Sequence, residues 1–255
     1  MSASAESGFR RAILGLDCQS ATTASLEIAA GLAAAMKLDL HGIFVLDEML
    51  EAVAGYPGAR EFRPGPRQWR AVDSGRLRSE QLELALGLQR RITARAGAQN
   101  LACSFEIVTG RLADVLSSRS SRSDILVVAE PRENLASLTH SFTRIVEAAI
   151  RSAASVLLIP QQAVSSRSGV IVLAASSEDP AIVTGRQIAA ATGEILSVVD
   201  SSAANMAEAL ASLPPPRHVV CSRTGSLTSP DHIVETFPVW RETPLLILEP
   251  SLNGK

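Results

Sequence analysis

Lysine is nearly missing from this chain: of 255 residues only Lys37 and Lys255 carry it, and arginine supplies the remaining positive charge. A phosphate-binding loop ending in Gly-Lys-Ser/Thr is therefore excluded. A Schiff-base lysine has little support, because Lys37 falls near the end of the first expected helix and Lys255 is the last residue. Cysteine is sparse too. Cys18, Cys103 and Cys221 are odd in number, far apart and without a CxxC pair, so neither a disulfide framework nor a zinc site is signalled and reduced structural thiols are expected. No stretch of 18 uninterrupted apolar residues occurs, and Met1 to Gly8 is polar and Ser/Ala-rich without an apolar core. A soluble, cytoplasmic protein with no membrane partner is expected. The net charge of -2 and pI of about 6.1 lack the cationic footprint of a phosphate-backbone binder, so nucleic acid is not an expected partner.

Catalytic constellations are absent as well. His41, His140, His218 and His232 show no ligand spacing and read as single histidines at strand and helix ends. Serines run through 117–123 and 165–168, yet no GxSxG elbow accompanies them, so a hydrolase nucleophile has no support and the runs read as solvated turns.

What is present is repetition. Arg11 to Asp47 has an echo in Gly169 to Asp200: an apolar run, an Ala-rich stretch of helical period, then a second apolar run ending at Asp. Asp124 to Pro160 is echoed by Arg217 to Pro250. Duplication of a strand-helix-strand unit points to two related domains, 1–163 and 168–255, joined by a polar Ser-rich linker over Gln161 to Ser168.

In the first half, strands are expected at Ala12–Leu16, Leu40–Leu46, Cys103–Val108, Ile125–Ala129 and Val156–Pro160. Helices are expected after Ser20 or Thr22, over Leu77–Ala96, Leu112–Ser118 and His140–Ser152. Such alternation specifies a parallel sheet with helices on both faces, because each parallel crossover requires a helix. The second half offers strands at Val170–Ala174, Glu194–Val199, His218–Cys221 and Leu245–Leu248, with helices over Pro180–Ala191, Ala203–Leu213 and Ile233–Trp240. It lacks one long helix and one strand, leaving about 85 to 90 residues, near the lower size at which a core is self-sufficient. It is expected to need the first half as packing partner.

Between Glu48 and Arg78 the prolines and glycines break any period, so this excursion reads as a partly ordered loop or lid. Arg60, Arg63, Arg67, Arg70, Arg76 and Arg78 gather there with Phe62 and Trp69. They form either a docking segment for an anionic ligand or acidic partner, or, in the favoured reading, a solvated loop neutralised by Glu48, Glu51, Glu61, Asp73 and Glu80.

The opening ILGLD, the turn VTGRLADVL, the strand DILVVAE and the closing RIVEAAIRSAASVLLIP stand in the order and spacing of the universal stress protein family, which the chain resembles in a tandem form. That resemblance implies two adenine nucleotide alpha hydrolase-like, Rossmann-like α/β domains with parallel sheets, the second truncated. It also implies that Val156–Pro160 and Leu245–Leu248 pair as terminal strands of an intrachain pseudo-dimer, which would shield two apolar edges.

Many members bind ATP through Gly-x-x-Gly, nine residues, then Gly-Ser/Thr after the fourth strand, where glycines let backbone N–H groups approach phosphates. Here Glu130-Pro131-Arg132-Glu133-Asn134-Leu135 follows that strand, no glycine occurs before Gly169, and Thr143 and Arg144 stand where the last Gly-Ser/Thr would. Glu130 and Glu133 are expected to repel a triphosphate by about 1 kcal/mol each in water, with Arg132 and Arg144 as offsets.

The family site maps onto Asp17, Val45, Ala129, Arg132, Thr143 and Arg144. Asp17 stands either at the adenine or ribose end of a nucleotide or as a strand-end or helix-capping residue. In the second half its place falls to Ala175 or Ser176, while the later turn from Cys221 to Ser226 keeps one glycine and several hydroxyls, as an anion site or an ordinary turn would. The expected function is a non-enzymatic stress-response or regulatory module with a largely decayed ATP site and no cofactor, acting as a dimer, higher homo-oligomer or with another protein. The alternative is an ATP-binding switch or weak ATPase.

Overall fold

The computed structural model of the chain describes residues 8–18, 20–63, 65, 67–131, 136–152, 154–202, 206–223 and 242–249. The first half runs β1 (Arg11–Leu16), α1 (Thr23–Met36), β2 (Asp39–Asp47), α2 (Glu48–Ala54), β3 (Arg60–Arg63), β4 (Gln68–Ala71), α3 (Ser74–Ala98), β5 (Cys103–Gly110), α4 (Leu112–Arg119), β6 (Asp124–Ala129), α5 (Ala136–Arg151) and β7 (Ser155–Ile159). The second half runs β8 (Val170–Ala174), α6 (Pro180–Thr192), β9 (Leu196–Asp200), α7 (Met206–Ala211), β10 (His218–Ser222) and β11 (Leu245–Leu248). The helix expected at Ile233–Trp240 lies outside the described residues.

One nine-stranded sheet, in the order β5-β2-β1-β6-β7-β11-β10-β8-β9, carries both halves. Every neighbouring pair is parallel except β7 and β11, which meet antiparallel with Leu158 opposite Leu245, Leu157 opposite Leu246 and Val156 opposite Ile247. These are the two terminal strands that the sequence marks as apolar edges. Among the described residues no strand flanks β9 as β5 flanks β2.

The strands form because their apolar runs are covered on both faces. On one face Leu14, Leu16 and Phe44 pack with Leu88 and Ile92 of α3, and the same cluster continues to Val170, Val172 and Ile188 of the second half. On the other, Ile13, Leu126 and Val128 pack with Leu116 and Val146 and continue to Ile171, Leu173 and Val219. Each apolar layer therefore crosses the β7–β11 seam without interruption.

Local chemistry sets the helix ends. Thr22 caps α1, its Oγ1 accepting from the Ser25 N–H at 2.9 Å while the Thr22 N–H donates to Ser25 Oγ at 3.0 Å. Asp179 caps α6 ahead of Pro180, and Gly193 closes it in the left-handed region at φ 68°. Within α6, Gly185 lies flat on β8: a Cβ there would come within 2.2 Å of Val172 Cγ2. Gly185→Val is expected to lift the helix off the strand and cost about 2 kcal/mol, read as a lower urea midpoint. An unchanged midpoint would contradict this close packing.

The excursion differs from expectation, because it is ordered as α2 and the antiparallel ribbon β3–β4. Phe62 pairs opposite Trp69, with ring centroids 5.3 Å apart. Cross-strand aromatic pairing supplies the local stabilisation that a reading for periodicity overlooks. Helix α5 also begins four residues before its expected start at His140. Among the described residues no helix is long and apolar enough to cross a membrane.

Candidate functional site

A cleft of about 780 Å³ opens at the carboxyl ends of β1 and β2, between the start of α4 and the face of α5. Parallel strands deliver their carboxyl ends to one side of the sheet, and β1 is the strand from which the chain winds both ways, to β2 and to β6. The cleft gathers Asp17, Val45 and Arg144 from the expected set. Ala129 ends β6, buried, and does not line the cleft. Arg132 lies outside the described residues; Thr143 belongs to α5 with its side chain outside them.

Both expected roles of Asp17 bear on its position. It lines the cleft, and its Oδ1 accepts from the Ser20 N–H at 2.7 Å and from the Ser20 hydroxyl at 2.8 Å, which fixes the turn after β1. It does not cap α1, since Thr22 does. Val45 lies in the buried end of β2, and Arg144 is exposed on α5.

Sequence reasoning missed the other wall residues Asp47, Arg111, Asp114, Glu147 and Arg151. A signal existed for three of them: Asp47 ends the second apolar run, and Glu147 and Arg151 follow Arg144 at helical spacings of three and seven. Among the described residues, four carboxylates (Asp17, Asp47, Asp114, Glu147) and three guanidinium groups (Arg111, Arg144, Arg151) line the wall, one negative charge in excess. Glu147 already holds Arg151 at 3.6 Å, and Glu48 on the rim stands 4.0 Å from Arg111. The thiol of Cys18 reports the local field: desolvation pushes its pKa up, and the charges of Asp17 and Asp47 push the same way.

No histidine, cysteine, serine or lysine is among the described residues of the wall. No group of His, Cys, Asp and Glu among the described residues could hold a metal ion.

One expectation fails at the end of β6. The Glu130 carboxylate accepts from the Gln161 N–H at 2.9 Å, and its own N–H donates to the Ile159 carbonyl at 2.8 Å. It therefore ties β6 to the chain leaving β7 and is not among the residues that line the cleft, so it does not meet a ligand there by direct contact. Glu133 lies outside the described residues.

In the second half a buried carboxylate stands at the corresponding turn after the first strand, β8. The buried Asp179 accepts from the Ala175 N–H at 3.0 Å, the Ala181 N–H at 2.9 Å and the Ser222 hydroxyl at 2.5 Å. This carboxylate joins the β8–α6 turn to the end of the neighbouring strand β10. Beneath it, burial and the Asp179 charge push the Cys221 thiol up to about 12, so that sulfur stays protonated and inert. Of the expected turn from Cys221 to Ser226, the residues after Arg223 lie outside the described ones.

A mostly parallel α/β sheet with a polar cleft at its switch point places the chain in the broad class of Rossmann-like architectures. More narrowly, the fold is that of the universal stress proteins. A universal stress protein from Archaeoglobus fulgidus superposes with a TM-score of 0.58 over 97% of this chain and 99% of its own, at 13% identity. A Pseudomonas aeruginosa protein provisionally assigned to the same family matches with a TM-score of 0.52 over 95% of this chain and 94% of its own, at 14% identity. A third, of unknown function and also from Pseudomonas aeruginosa, matches at 0.51 with the same coverage and 13% identity. No family model matches the sequence, and no curated protein does.

Proposed function

We propose that this protein is a non-enzymatic regulatory module of universal stress type, built as an intrachain pseudo-dimer of one complete and one shortened domain, whose phosphate cradle has been lost. The observation that carries the reading is the charge of the cleft: among the described residues, four carboxylates against three arginines form a wall that suits a neutral or mixed-charge group better than a triphosphate. The glycine-free stretch after β6 removes the positions at which backbone N–H groups would approach phosphates. In the second half the Ala175 N–H and the Ser222 hydroxyl, groups at the corresponding strand ends, are already taken by Asp179. The protein then acts through its surface, as a homo-oligomer or on another protein, in the cytoplasm, and catalyses nothing.

The second reading, an ATP-binding switch or weak ATPase, has its own support. The cleft is of nucleotide size, Asp17, Val45 and Arg144 converge on it, and Glu130 points elsewhere. Thermal denaturation with and without Mg-ATP separates the two. A site with Kd near ~10 μM would stabilise the fold by ~2.7 kcal/mol at ~1 mM nucleotide. No rise in Tm is expected; a clear rise that Asp17→Ala abolishes would replace the first reading with the second.

A further inference from the structure

We propose that the excursion formed by α2, β3 and β4 is a docking surface for an acidic, extended peptide segment of another protein. The chain has only nine aromatic residues, yet Tyr56, Phe62 and Trp69 all stand on this insertion with exposures of 73%, 48% and 59%. Val53 and Leu50 of α2 are exposed beside them. A notch of about 430 Å³ lined by Val53, Tyr56, Ala59, Arg60 and Val72 lies at the base of the ribbon. Alternation along the two strands puts Arg60, Phe62 and Trp69 on one face, so the notch and the aromatic pair are joined through Arg60. A two-stranded ribbon is marginal in water on its own, and among the described residues both edges of this one are unpaired. An added strand would satisfy an edge, and its apolar side chains would cover the aromatic pair.

Charge identifies the occupant. Residues 60–71 hold four arginines and one carboxylate, Glu61. Both oxygens of Glu61 accept from Arg76 of α3 at 2.7 Å, and Glu51 is taken by Arg78 at 2.8 Å. The neutralisation favoured from the sequence therefore serves Arg76 and Arg78. Arg67 and Arg70 on the ribbon are exposed and have no ion pair among the described residues. Exposed arginine interleaved with tryptophan and tyrosine is the composition of protein-binding hot spots. A second copy docking ribbon to ribbon would set like charges against each other. A nucleic acid backbone would meet Glu48, Asp73 and Glu80 on the flanks and a chain of net charge -2. A short acidic peptide sets a few carboxylates against the ribbon's arginines and large apolar residues at alternate positions over the aromatic pair, without the charge at every step that a phosphate backbone would carry past those flanking carboxylates.

The proposal concerns a surface outside the cleft, and no nucleotide enters its test. A library of displayed random decapeptides is selected on the full chain and, in parallel, on the variant Arg67→Glu/Arg70→Glu. Enrichment of Asp and Glu alternating with aromatic or large aliphatic residues is expected on the parent protein only. The best peptide should lose about tenfold or more in affinity on that variant and on Trp69→Ser, at unchanged Tm of the main transition. The milder Arg70→Gln, which adds no charge, should lose affinity in the same direction. Selection without acidic bias, or equal affinity for parent and variants, would overturn the proposal. So would sedimentation showing self-association that the double variant abolishes, or oligothymidylate binding more tightly than every selected peptide.

Discussion

Between pH 6.5 and pH 4 the protein is expected to lose about 3 kcal/mol of folding stability through the imidazole of His218 alone. The residue opens β10 between β8 and β11, is buried, and its Nδ1 has no hydrogen-bond partner among the described residues. Burial, with the neighbouring Arg217 charge, pushes its pKa from 6.5 down to about 4. In that window the unfolded chain binds the proton and the folded one does not, so protonation favours unfolding. The contribution is intact above 6.5, declines as pH falls, and levels off below about 4. At ~1.4 kcal/mol per pH unit the gap amounts to between about 3 and 4 kcal/mol in full, and about 3 of it is lost by pH 4 because the slope is reduced near each pKa.

Urea titrations at pH 7, 5.5 and 4 measure the decline, and His218→Leu should flatten it. Equal slopes in parent and variant would refute the assignment. Asp124 is a separate acid-sensitive group acting at lower pH. Burial pushes its carboxyl up, but hydrogen bonds from Arg11 and Ser121 outweigh this and hold it below the usual carboxylate range. The difference between parent and His218→Leu isolates the imidazole.

A charge placed in the seam between the two halves should do more damage still. Ile247 of β11 is fully buried opposite Val156, in the apolar layer shared by both halves. Ile247→Asp would bury a carboxylate with no partner, at an expected cost above about 4 kcal/mol. The edges of β7 and β11 would then be free to pair between molecules. Loss of a single sharp urea transition, together with self-association in sedimentation, is the expected outcome. Unchanged stability and monodispersity would mean that the halves do not depend on this junction.

Polar contacts flank the apolar strands there: Arg223 donates to the carbonyls of Ser152 at 3.0 Å and Ala154 at 2.6 Å and pairs with Glu249. The Glu249 N–H donates to Ser155 Oγ at 3.0 Å. The start of β7 is thereby held to the ends of β10 and β11 on both sides of the seam. The polar stretch before β8 is anchored as well, with Ser165 donating to Glu27 of α1 at 2.9 Å and Arg217 to the Arg167 carbonyl at 2.7 Å.

The strands of the sheet were legible because each is a short apolar run bounded by turn residues, and a run buried on both faces needs no partner to announce it. The ribbon β3–β4 was not, because its pairing depends on Phe62 meeting Trp69 across a turn, and its arginines and prolines carry no apolar period. The cleft was half legible. Asp17 and Val45 sit at strand ends, which sequence marks. Asp114, Glu147 and Arg151 reach the same space from helices, where only the packing of α4 beside α5 brings them together.

By itself, the order of residues determined the alternation of strand and helix, the parallel sheet that follows from it, the shorter length of the second half, and the two apolar strands that would be edges if left alone. Those are consequences of local period and of chain connectivity. Only the tertiary structure decided that Glu130 turns toward Gln161, that Asp179 bridges the β8–α6 turn and the end of β10, and that carboxylates of the excursion serve Arg76 and Arg78, leaving Arg67 and Arg70 exposed. A side chain's partner is set by whichever donor or charge folding brings within about 3 Å, and composition cannot say which of several candidates that will be.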